Sequence, residues 1–272
     1  MRKIAFLICI VLVLSFSACD LIVSGDSFFR NSFGSGMSRN YDPANVNINA
    51  SNAGSWVDRA TGNSDLAYVV SSVIKDELNN GSLSESEQLV LIEAGVKLSI
   101  EASGVGTSIF SNALPQIENL LDEDFDGDTV KIIQDILNGV QQDFQSNSGL
   151  NIADNLADII EHAIVTNGTI PSLSSGYVDN ASLNDVALTV VILTLGVVED
   201  EFDGGIVTAE TLSTFISEID GISIVPSGDN DLLSIDGPVD EKVAALAAVY
   251  NTLALDPEFA GGFLGGIIGI FH

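Results

Sequence analysis

Apolar residues recur at helical spacing along most of the chain. Leu66, Val69, Val70, Val73 and Ile74 stand three or four apart and predict a helix that stops near Asn79-Asn80-Gly81. Ser84 followed by Glu87 has the form of a capping box. It opens a second apolar run over 89–100, read as a largely buried helix that Gly104 and Gly106 end. Further helices are predicted over 108–121, 129–144, 152–165, 184–198, 209–219 and 239–255. The stretch 166–180, with Gly168, Pro171 and Gly176, reads as looser chain, and 221–237 reads as loop with a short strand at 222–225. The β-branched run within 184–198 continues past strand length and has Ser182 as N-cap, so it is read as helix. Turns between helices are short and alternation of period two is rare. The expected fold is therefore all-α, a multi-helix bundle of helix hairpins.

Residues 20–63 break this pattern. They are rich in Ser, Asn and Gly, and Phe28, Phe29, Phe33, Tyr41 and Trp56 follow no period. This segment reads as a flexible N-terminal tether, with some stretches laid on the domain. Within the body, Val186-Ala187 and Glu201-Phe202-Asp203-Gly204-Gly205 align with Val243-Ala244 and Glu258-Phe259-Ala260-Gly261-Gly262. Internal helix-hairpin repeats and shared helix-stop chemistry both explain that match.

Composition narrows the partners. The 272 residues carry 38 acids against 9 Lys and Arg, a net charge of −29, while 46% of residues are hydrophobic. That apolar content fills a core, which a disordered chain lacks. The charge excludes nucleic acid, whose phosphates need clustered cations. Two cysteines build no disulfide scaffold.

The first residues carry an address. Arg2 and Lys3 precede an unbroken apolar run from Ile4 to Leu14, the layout of a secretory signal too short to span a bilayer. Ser17-Ala18-Cys19 follows and resembles the lipobox of bacterial lipoproteins, with Phe16 where that family usually has Leu. The resemblance covers only the first twenty or so residues. It implies cleavage before Cys19, a diacylglyceryl thioether and further acyl lipid on Cys19, and membrane anchoring in the cell envelope, facing periplasm or exterior. The expected organisation is a signal peptide over 1–18, a lipidated Cys and tether over 19–63, and an acidic helical domain over 64–272.

Three acidic turns have partial calcium-loop spacing. Asp122, Asp124 and Asp126 lead into Gly127, but Ile133 stands where the closing Glu belongs. Glu199, Glu201, Asp203, Gly204 and Glu210 fill loop positions 1, 3, 5, 6 and 12, with long Glu side chains at the first two. Asp76 to Glu87 has Asn80, Gly81 and Glu87 in place but Leu78 at position 3. The competing reading is a set of solvated turns on a salt-adapted surface. His162, with Asp154 and Asp158 at helical spacing, is a further metal candidate.

No G-x-S-x-G, P-loop or H-E-x-x-H sequence is present, and the one Trp lies in the tether. The expected protein is not an enzyme and needs no cofactor beyond lipid and a calcium ion as the alternative. Its expected role is structural or interactive, and the alternative is a calcium-binding lipoprotein. The segment 259–271 is apolar with Gly261, Gly262, Gly265, Gly266 and Gly269. It is too short to span and is the expected contact surface for an envelope partner.

Overall fold

The computed structural model describes residues 42–109, 111–112, 129–202, 222–227 and 230–255. The fold is all-α, a bundle with two small hairpins against it. α1 is Ala53–Ala60, α2 Ser64–Asn79, α3 Glu85–Ser103, α4 Thr129–Ser146 and α5 Gly149–Glu161. β1, Ile164–Asn167, and β2, Ile170–Leu173, form the first hairpin. After the single turn α6, Ser175–Val178, comes the long α7, Leu183–Phe202. β3, Ile222–Ser227, pairs with β4, Asn230–Ile235, and α8 is Glu241–Ala254. No described helix is long and apolar enough to cross a membrane.

Three helix starts have a local side-chain cause. Asn63 Oδ1 accepts the Leu66 N–H at 3.0 Å and opens α2. Ser84 N–H donates to Glu87 at 2.9 Å in the capping box that opens α3. Asp240 accepts the Lys242 N–H at 2.9 Å and opens α8. Gly104, at φ 62°, closes α3 in the left-handed conformation that glycine adopts at little steric cost.

α5 sits at the centre, packed on α2, α3, α4, α7 and α8. Its Ile152, Leu156, Ile159 and Ile160 are buried. Glycines let neighbours come close. A Cβ on Gly95 of α3 would lie 2.9 Å from Ile159 Cδ1, and one on Gly196 of α7 would overlap Ala153 of α5.

Three expectations change. Residues 43–60, assigned to the tether, are folded onto the bundle, with Ile48, Ala53 and Ala60 buried and Trp56 packed against the core. Trp56 Nε1 donates to the Asn47 carbonyl at 3.1 Å, which secures this arm. α5 ends at Glu161 rather than continuing through Val165. Ile164 and Val165 are β-branched and start a strand instead. Gly168, at φ 73°, supplies the first central residue of a two-residue hairpin turn, and Thr169 keeps negative φ, the signature of type II′. The strand foreseen at 222–225 extends to Ser227 and gains β4 as a partner.

α8 joins the two hairpins. Buried Asn251 donates to the carbonyls of Pro171 in β2 and Leu233 in β4, both at 2.8 Å, and accepts the Leu233 N–H at 2.8 Å. Thr252 Oγ1 accepts the Leu173 N–H at 2.8 Å. The side-chain amide thus takes the place of a strand between two sheet edges.

Candidate functional site

A cleft of about 220 Å³ opens where α3 ends. Gly104 breaks the helix there, and residues 105–109 start a new helical segment. Ser103 fixes the turn, donating to the Ile100 carbonyl at 2.7 Å and accepting the Val105 N–H at 3.2 Å. This brings Ser64, Glu101, Thr107, Ser108, Asp143 and Asn147 to the cleft wall.

Two carboxylates behave differently in it. Glu101 accepts the Gly62 N–H at 2.8 Å. Burial raises its pKa above the ordinary Glu value, and the Gly62 hydrogen bond opposes that rise. Asp143 Oδ2 accepts from Ser108 Oγ at 2.6 Å and Asn112 Nδ2 at 3.2 Å. Asn112 reaches it because Gly139 of α4 leaves room for that side chain. Hydroxyls, amide and carboxylates suit a small cation or a hydroxyl-rich ligand. Ser108 donates its hydrogen bond to a carboxylate, and among the described residues no imidazole lines the cleft.

The metal candidates disperse. His162 caps α5 and its Nε2 faces Asn79 Oδ1 at 3.2 Å. Asp158 faces Lys75 at 3.5 Å, and Asp154 takes the buried Lys242 ammonium. Asp76 lies within α2, while Glu87 is spent on Ser84, whose hydrogen bonds hold its carboxyl below the ordinary range. Glu199 and Glu201 fall two residues apart within α7 rather than in an interhelical loop. Asp203, Glu210, Asp122, Asp124, Asp126 and the tail 259–271 lie outside the described residues, as do Cys19 and the signal segment. Among the described residues, no group of three His, Cys, Asp or Glu is placed to hold a metal ion.

A second polar cluster joins α3, α6 and α7. Tyr177 is buried, and burial together with the charges of Asp185 and Glu93 raises its phenol well above the ordinary value. Asp185 is raised too, chiefly by burial, with Lys97 opposing. Lys97 Nζ itself pairs with Glu93 at 2.6 Å.

Sequence reasoning missed both clusters. Ser108 and Asp143 carry no local signal, because they stand 35 residues apart in the chain. Ser182-x-x-Asp185 was visible as a cap, but not the buried Tyr177 beside it. No protein-family profile, curated protein or solved structure matches this chain.

Proposed function

We propose that this chain is a lipid-anchored protein of the bacterial envelope whose acidic helical body has a structural or protein-interaction role without catalysis. The observation that carries the reading is Ser17-Ala18-Cys19 at the close of an apolar run preceded by Arg2 and Lys3. Two or more acyl chains on Cys19 give firm anchoring, where one chain binds only marginally. Residues 20–41 then link the lipid to the body, and the surface charge keeps that body off anionic headgroups.

Metabolic labelling with an alkyne fatty acid tests the anchor. The wild-type chain takes up label and sediments with membranes, and Cys19→Ala does neither. An unlabelled wild-type chain overturns the anchor. Crosslinking in intact cells tests the interaction role, with a discrete adduct as the expected result and monomer alone as the contrary one.

A further inference from the structure

β1 has one paired side and one open side. Asn167 and Ile170 flank the two-residue turn, so the pairs Thr166↔Pro171 and Ile164↔Leu173 direct their backbone groups away from the ladder. On the β2 side those groups are engaged, Pro171 C=O by Asn251 and Leu173 N–H by Thr252. On the β1 side they belong to Ile164 and Thr166, and among the described residues the sheet ends there with two strands. Val165, Thr166 and Asn167 are exposed, Val165 by 48%. Such an edge is a template for another strand unless something blunts it. Charged side chains and proline blunt natural edges, and Ile164-Val165-Thr166-Asn167 has neither.

The surroundings select by charge. Glu161 precedes the strand and is exposed, and so is Asp179, at the end of the α6 turn that Ser174 N–H ties to the Ala163 carbonyl. The cations Lys75, Lys97 and Lys242 are each held in an ion pair, and Arg59 stacks over Trp56 at 4.9 Å. With a net charge of −29, a second copy of this chain is repelled and a basic segment is attracted.

We propose that the β1 edge receives an extended, basic segment of a partner protein as an added strand. Backbone hydrogen bonds to Ile164 and Thr166 supply affinity, an apolar residue beside Val165 supplies register, and Lys or Arg on the incoming strand supplies charge complementarity. This rests on the interaction role proposed above and names the surface that serves it.

The test uses the detergent-solubilised full chain and a fluorescent capped peptide of alternating Lys and Val, read by anisotropy at physiological salt. Binding is expected in the micromolar range. A peptide N-methylated at alternate amides keeps its charge but loses the edge bonds, and its affinity falls at least about tenfold. Thr166→Pro removes an outward N–H without taking a bond from the ladder, as Pro171 opposite already shows, and weakens binding by a similar factor. Val165→Lys, at an exposed position, repels the peptide and keeps the test open if the proline variant unfolds. Equal binding of the methylated peptide, no binding of either peptide, or full binding by both variants overturns the proposal. A dimer of the wild-type chain that Thr166→Pro dissociates gives the edge to a second copy and overturns it too. If the crosslinked adduct in cells survives Thr166→Pro, the interaction role stands and this surface is wrong.

Discussion

Ser99 is fully buried in α3, and its hydroxyl has no hydrogen-bond partner among the described residues. A desolvated, unpaired hydroxyl costs free energy, so Ser99→Ala should stabilise the fold by about 1 kcal/mol, seen as a higher urea midpoint with an unchanged slope. Ser84 is the opposite case. Its side chain and N–H both engage Glu87, and Ser84→Ala should cost about 1 kcal/mol in the same assay. The Ser84–Glu87 pair was legible in the sequence because a capping box is local, with every partner within four residues. That same locality engages the Glu87 carboxylate that the calcium reading of Asp76 to Glu87 would use to close its loop. Ser99 shows the limit of sequence reading: its spacing places it on the buried face of α3 but says nothing about who faces it.

Helix existence and type were legible from periodicity for α2, α3, α7 and α8, where the apolar run is long. The hairpins were not. β1 and β2 are four residues each, too short for alternation to stand out, and their order depends on Asn251 and Thr252 some eighty residues away. Asn251→Leu tests that dependence. It strands the Pro171 and Leu233 carbonyls and the Leu233 N–H, and should cost about 3 kcal/mol or more, measured by chemical denaturation. The α5–α7 crossing rests on size alone. Gly196→Ala collides with Ala153 and should destabilise by about 1–3 kcal/mol. Ala153→Gly in the same chain should restore much of that loss, and a double-mutant cycle reads the coupling. The sequence showed Gly196 inside an apolar helix, but not which helix it admits.

At the scale of the molecule, charge governs stability. Burial holds Glu101 and Asp185 above their ordinary values of 4.5 and 3.8, so the folded chain binds these protons more tightly than the unfolded chain. The stability they confer is fully present below those ordinary values and is lost as pH rises through the folded values. The melting temperature should therefore rise as pH is lowered from neutral towards 4.5, and Glu101→Gln should flatten that slope in calorimetry. Added monovalent salt should raise it as well, because 38 acids against 9 bases repel one another less when screened. A melting temperature indifferent to both pH and salt would contradict this account. The charge balance was legible from composition alone, whereas the two raised carboxyls needed the folded neighbours that desolvate them.

The clamp formed by α8 also sets an order of events. A chain is made from its N-terminus onward. The hairpins at 164–173 and 222–235 are out before Asn251 and Thr252, and until those arrive the bond from the Ile235 N–H to the Thr169 carbonyl at 2.8 Å links the hairpins without the side-chain bonds of α8. Native closure is thus a late step that waits on nearly the whole helical body. A ribosome stalled short of residue 251 would present strand edges without their side-chain partners to every neighbouring chain, which makes the interval before α8 emerges the one in which chaperone cover matters most.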